Sequence, residues 1–167
     1  MSPSSYRSLV VFHLGGKLGG LPLESVEKIA PMCDLARPPG LLAPLEGILN
    51  WGGAAVPVLR LDRLLHLPEQ RPGLYSMLML LKGRSDNQVA LLVDRVSEIL
   101  HVPHSEVLPV RGEDSFNACV EATVNMRGQV VHVLSPARIL LEREQESLSA
   151  FRTMEQLRLD DWRPDAQ

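Results

Sequence analysis

Two stretches of this chain are near copies of each other. Residues 50–65 align without gaps on residues 125–140, and seven of the sixteen pairs are identical: Asn50/Asn125, Gly53/Gly128, Val56/Val131, Val58/Val133, Leu59/Leu134, Arg63/Arg138 and Leu65/Leu140. A shorter match lies upstream of each copy, Leu21–Ile29 on Leu91–Ile99. The offsets are 75 (Asn50 to Asn125) and 70 (Leu21 to Leu91), which leaves about five extra residues between the blocks of the second half. A period this long is not that of a solenoid, whose units are single helix pairs or strand turns of roughly 20–50 residues. It predicts two similar small modules. Each, at about 70 residues, would be marginal alone, so the two are expected to share a core. A duplicated β module of this kind points to a platform for partners rather than to a single catalytic cleft.

The net charge of −3 offers no basic field for nucleic acid or anionic lipid, and Lys and Arg are scattered. Two cysteines, Cys33 and Cys119, make no disulfide framework, and their apolar settings predict two buried thiols. The strongest apolar run, Met77–Leu81, is far short of the roughly 20 residues that span a bilayer. No secretory signal pattern opens the sequence. The expectation is a soluble, cytoplasmic protein with no membrane insertion, no nucleic-acid partner and no cofactor.

Short β-rich runs punctuated by glycine and proline dominate. Residues 1–6 read as a loose tail, Leu9–Leu14 as a strand broken by Gly15-Gly16, and 21–23 as a short strand. One helical turn is predicted over Glu24–Ile29, with its counterpart near 94–99. Ile48–Asn50 and Ala54–Leu59 are strands joined by Trp51-Gly52-Gly53, the chemistry of a tight hairpin because Asn and Gly tolerate positive φ. The same holds for Asn125-Met126-Arg127-Gly128. Pro57 lacks a backbone donor, which predicts an edge or a bulge in its strand. Leu61–Leu67 is a short helix, and residues 69–73 are the connector between modules. The second module then runs through a strand near 76–82, a turn at 83–87 and a strand at 88–93, with a loop around 111–114. Ser135 caps and Pro136 opens an amphipathic helix running to about 158, striped by Leu148, Phe151, Met154 and Leu157, with Arg152, Glu155 and Arg158 off the stripe. Two readings of that stripe stay open: packing on its own domain, or on a partner. Trp162 beyond it either anchors the end or is mobile.

No specific catalytic constellation emerges. His101 and His104 flank Val102-Pro103 and cannot share a helical face, and no further cluster completes a four-ligand metal site. No serine sits in a nucleophile elbow. Gly15–Gly20 is glycine-rich with a lysine but lacks the order of a phosphate-binding loop. Asp62, Asp94, Glu113 and Asp114 read as solvated or capping residues. A rival reading, an enzyme or a metal- or ligand-binding module using the His101–His104 region or Cys119, would be favoured by stoichiometric zinc or iron.

Taken together, the blocks resemble the CheW-like adaptor family of bacterial chemosensory systems. The carrying residues are Gly20-Leu21-Pro22-Leu23 with Val26 and Ile29; Gly47-Ile48-Leu49-Asn50 with Gly53, Val56-Pro57-Val58 and Leu61; and Leu91-Leu92-Val93-Asp94 with Val96. They run in order over residues 8 to about 141. The resemblance implies an all-β fold of two SH3-like five-stranded β-barrel subdomains, here with a C-terminal amphipathic helix. The expected boundaries are a tail at 1–7, the CheW-like domain at 8–141 and a helical tail at 142–167. It further implies a non-enzymatic adaptor that couples a methyl-accepting chemoreceptor tip to the regulatory domain of a CheA-type histidine kinase. The implied partner-binding residues are Val26, Lys28, Ile29, Gly47, Asn50, Trp51, Gly52, Gly53, Val93, Asp94, Val96 and Arg127.

The chain also departs from the family pattern. Gly52 stands where the family carries an arginine, and Lys28 where members often carry an acid. Losing both together is the expectation if the two normally pair. The charges of Arg60-Leu61-Asp62 are exchanged relative to the family, and Arg127 supplies an arginine in the second copy's turn. These departures keep open a specialised pathway, controlling type IV pili or a second messenger, that no longer couples a kinase in the standard way. Asn50, Gly52 and Gly53 serve the turn, a partner, or both. Trp51 is either an exposed anchor or is buried against the other barrel. Val26 and Ile29 are read as half core, half rim.

Overall fold

The computed structural model describes residues 5–69, 71–83, 88–110, 119–139 and 142–161, with 142–147 described for the backbone alone. Eleven strands are present among these residues. They are β1 Tyr6–Leu14, β2 Lys17–Pro22, β3 Val26–Pro31, β4 Leu45–Trp51, β5 Ala54–Arg60, β6 Met77–Leu81, β7 Ala90–Val93, β8 Arg95–Pro103, β9 Leu108–Pro109, β10 Val120–Met126 and β11 Gln129–Leu134. A short helix α1 (Leu61–Leu64) follows β5, and a long one, α2 (Glu142–Asp161), closes the chain. The turn at 84–87, the loop at 111–114 and Trp162 lie outside the described residues.

The strands form a six-stranded sheet, β8-β1-β2-β11-β10-β9, and a five-stranded sheet, β3-β6-β7-β5-β4. The architecture is the expected mostly-β one of two like units plus a terminal helix. The duplication, however, does not map one half of the sequence onto one sheet. Equating β1–β5 with β6, β7, β8, β10 and β11 makes the two orders identical, with β9 as an extra edge piece. Each sheet therefore takes its hairpin from one half of the chain and its other strands from the other half. The registers agree: Val58 sits opposite Ala90 in the parallel pair β5–β7, and its repeat mate Val133 sits opposite Gly20 in the parallel pair β11–β2. The expected assignment of 76–93 to a second module is corrected accordingly, since β6 and β7 complete the sheet of β3–β5.

Alternation along the strands makes this exchange workable. In β1, Leu9 and Val11 point into a cluster with Leu18, Val102, Val124 and Val133, all of one sheet. Val10, Phe12 and Leu14 point the other way, into a central cluster with Leu59, Met79, Leu91 and Leu134 from both sheets. Ala90 and Leu92 join Val56, Val58 and Leu80 in the second sheet's own cluster. The middle strands are thus apolar on both faces, as strands buried on both sides must be. The shared core predicted from module size is the central cluster. At Gly19 an added Cβ would lie 2.5 Å from Cζ of Phe12, which is fully buried, so the glycine is what lets the ring lie across β2.

Several local expectations are corrected. Residues 24–29 are not a helical turn: a 3-10 turn at Leu23–Ser25 leads straight into β3. Of residues 94–99, Asp94 sits between β7 and β8 and the rest belong to β8. In both places a register shift inserts one extra residue, Glu27 or Ser97, between the Val and the Ile, so a spacing of three keeps both on one face of an edge strand, paired to β6 or β1. β5 is interior rather than an edge strand, but β7 comes alongside only from Val58, just past Pro57, so the missing donor falls where no strand waits for it. The final helix is not continuous from 136: Pro136–Arg138 is a separate 3-10 turn, Ser135 makes no side-chain cap bond, and α2 starts at Glu142. Cys33 is exposed while Cys119 is buried, where desolvation raises its thiol pKa. Asp62 is not solvated but buried.

The helical stripe also differs from the one expected. Leu148, Arg152 and Glu155 are buried, while Met154 and Leu157 are 57% and 62% exposed. Steps of three residues drift about 60° backwards each time around a helix of 3.6 residues per turn. After three steps, Leu157 faces away from Leu148. The buried line alternates steps of three and four, through Leu148, Phe151 or Arg152, Glu155 and Leu159. Of the two open readings, the helix packs on its own domain. Among the described residues no helix is long and apolar enough to cross a membrane.

Candidate functional site

The residues singled out by the repeat gather at the hairpin ends of the two sheets. The β4–β5 loop is the two-residue turn Gly52-Gly53, closed by the pair Trp51–Ala54, with φ of 59° and 91°. Positive φ at both positions defines a type I′ turn, whose twist matches the strands. Asn50 Oδ1 accepts the Gly53 N–H at 2.9 Å. The β10–β11 loop repeats every part: Arg127-Gly128 at φ of 52° and 83°, with Asn125 Oδ1 accepting the Gly128 N–H at 3.0 Å. Arg127, a side-chain-bearing residue in the left-handed region, occupies the place of Gly52.

Each turn lies against the strand that opens its sheet, and here the two ends diverge. In the six-stranded sheet the exposed Arg127 forms an ion pair with Glu98 of β8. In the five-stranded sheet the matching positions are Lys28 of β3 and Gly52, and no such pair can form. Instead, Lys28 Nζ lies over the Trp51 ring, 5.2 Å from its centroid. Such a cation–π contact at an exposed site stabilises by about 0.5–1 kcal/mol. The acid–arginine pair inferred for the family is therefore present in this chain, at the second turn only. Trp51 is half buried against its own sheet's cluster, so it is neither a free-standing anchor nor packed into the other sheet.

The other predicted residues separate by burial. Lys28, Asn50, Gly52 and Arg127 are exposed, and Val26, Ile29 and Val96 are half buried on the rim of the central cluster, as read for the first two. Gly47 and Val93 are buried. Gly47 is where the returning loop pairs with β4 through Ala36 and Ile48, and an added Cβ would lie 2.7 Å from Leu35 Cβ and 2.8 Å from the Ala36 carbonyl. Asp94, half buried, accepts the Gly15 N–H at 2.9 Å and so ties β7–β8 to the β1–β2 turn.

The exchanged charges Arg60 and Asp62 still meet. Arg60 donates through Nε and Nη2 to the two carboxylate oxygens of Asp62 at 3.2 and 2.8 Å, and through Nη1 to Glu46 at 3.3 Å. Asp62 Oδ1 also accepts the Arg63 N–H. Among the described residues, no three His, Cys, Asp or Glu side chains converge on a point where a metal could sit. His101 Nδ1 lies 2.7 Å from Ser8 Oγ, in a cross-strand contact of β1 and β8.

Two participants were not found from sequence. Glu98 could have been: it is the repeat mate of Lys28. Gln156 could not. Its amide accepts the Ala55 N–H at 2.9 Å and donates to the Gly53 carbonyl at 3.1 Å, from about a hundred residues away.

Two like β sheets around one core, each with a tight hairpin turn at its end, define a mostly-β, internally duplicated class of domain. The fold matches that of the scaffolding protein TtCheW from Thermoanaerobacter tengcongensis, with a TM-score of 0.72 at 19% identity over 81% of this chain and 88% of that one. The chain belongs to the family of CheW-like domains, whose model matches residues 8–144. The chemotaxis protein CheW of Bacillus subtilis is 24% identical over 138 residues, 81% of this chain and 87% of its own length. That of Thermotoga maritima is 22% identical over 131 residues, 78% and 85%.

Proposed function

We propose that the chain is a cytoplasmic, non-enzymatic adaptor of a bacterial chemosensory pathway, coupling a chemoreceptor tip to the regulatory domain of a CheA-type histidine kinase. Family membership and relatives known as chemotaxis proteins support the pathway. The observation that carries the mode of action is the pair of like hairpin ends, each with exposed turn residues beside a half-buried edge strand. Docking uses the exposed and half-buried members of each end: Val26, Lys28, Ile29 and Asn50 to Gly53 on one sheet, Asp94, Val96 and Arg127 on the other. Gly47 and Val93 act beneath these surfaces, shaping them.

The decisive measurement is calorimetric titration of the kinase regulatory domain with wild-type protein and Trp51→Ala. A half-buried aromatic at the centre of an interface is worth about 1–2 kcal/mol or more, so affinity should fall roughly tenfold or further with the fold intact. Unchanged affinity in a folded variant removes Trp51 from the interface. The specialised-pathway reading draws on the divergence of the two ends. A kinase that needs the acid–arginine pair at the first end would ignore wild type and recognise Lys28→Glu/Gly52→Arg.

A further inference from the structure

The first hairpin end is not open. β5 pairs with β4 along one side, but β7 reaches the other side only from Val58 onward. The stretch between, Gly53 to Ala55, leaves a carbonyl and an N–H on an edge, and the Gln156 amide takes both. A side-chain amide here does what a neighbouring strand's peptide group would do. The corresponding edge of the other sheet, at Gly128 and Val130, has no helix against it among the described residues: β2 joins β11 from Val131, and Val130 is 51% exposed.

The helix that supplies Gln156 is attached in an unusual way. The side it turns to the protein packs Leu148, Phe151 and Leu159 on the central cluster but also buries Arg152 and Glu155 among them, while apolar Met154 and Leu157 face solvent. Beneath it lies a cleft of about 190 Å³ between Ile48, Leu49 and Ala55 on the sheet and Glu155 and Leu159 on the helix. With charge in its contact face and a cleft beside its C-terminal half, that half is held more weakly than a fully packed apolar one would be.

We infer that α2 is a built-in competitor for the β4–β5 end: it occupies the edge at Gly53 and Ala55, and the kinase regulatory domain must lift it to dock there. This rests on the reading that this end meets the kinase. Apparent affinity for a partner scales with the fraction of molecules in the competent state, so weakening the cover should tighten binding. The test is Gln156→Ala in the full chain, with the kinase regulatory domain titrated by calorimetry and amide exchange followed at Ala55 and along 148–159. Alanine is the best helix former, so α2 itself survives the change. The expected result is faster exchange at Ala55, an apparent Kd about five- to tenfold lower, and, in wild type, loss of protection along α2 when the kinase domain is added. Gln156→Glu, which keeps an acceptor for Ala55 but sets a carboxylate against the Gly53 carbonyl, should shift affinity in the same direction. Leu157→Ser, on the outward side, should change nothing. Unchanged or weaker binding by Gln156→Ala, or an α2 that stays protected in the complex, overturns the inference and leaves the kinase reading standing. If neither wild type nor variant binds, the kinase reading fails and the inference falls with it.

Discussion

At the scale of the residue, glycines at three places answer to two different constraints. Gly19 and Gly47 are excluded from substitution by space, and Gly52 by conformation. Gly19→Ala should lower stability by about 1–3 kcal/mol in a denaturant melt, because Phe12 is fully buried and cannot swing away. Gly47→Ala should act similarly, since one of the atoms it meets is backbone. Gly52→Ala meets nothing within 4 Å and should lose only the left-handed penalty of roughly 1–2 kcal/mol. The same scale holds the charge argument. Lys28→Glu/Gly52→Arg recreates the Glu98–Arg127 arrangement, and a double-mutant cycle should show favourable coupling of about 0.2–1 kcal/mol, the range for exposed pairs. A coupling of zero would mean that the first end no longer holds the geometry of the second. The turn chemistry of Asn50 and Gly53 was legible from sequence because it is local. The Lys28–Trp51 contact was not, because it depends on which strand lies beside the turn.

Elements were readable where a single interaction decided them. Hairpins announced themselves through Asn, Gly and flanking β-branched runs. The strand character of 26–31 and 95–103 was missed because each carries a bulge, at Glu27 or Ser97, and a bulged strand sets residues three apart on one face as a helical turn does. In α2 the error lay in the phase of the stripe. Leu148→Ala should therefore destabilise the protein by about 2–3 kcal/mol, while Met154→Ala should be nearly silent in the same melt. Equal effects would restore the three-residue stripe. The bond from Gln156 to the β4–β5 turn had no local signature at all: a glutamine on a helix reads as surface until the sheet edge facing it is known.

At the scale of the molecule, two histidines set a pH limit. Burial is the main cause that lowers the pKa of both His13 and His132, helped by Arg95 in the first case and Lys17 in the second. His13 Nε2 also lies 3.0 Å from Arg95 Nη2, a contact that needs an unprotonated nitrogen. The unfolded chain takes up these protons at the ordinary value near 6.5, the folded chain only below it. Stability should thus be level above neutrality and fall as pH drops through 6.5 and below, with a shallower fall in His13→Gln. A melt temperature flat between pH 7 and about 5.5 would contradict this. The repeat made the duplication legible from sequence, but not the exchange of hairpins, since either sheet could have kept its own without altering one residue pattern. That exchange bears on how the chain is made. The five-stranded sheet is complete once residue 93 has left the ribosome, whereas β1 waits for β8 and β2 for β11, partners 82 to 113 residues downstream. For most of translation Leu9 and Val11 have, of their own cluster, only Leu18 to lie against. A nascent chain halted between 93 and 129 should therefore resist protease in its middle and be cut at its start, and its first twenty-odd residues are where a holdase would be found.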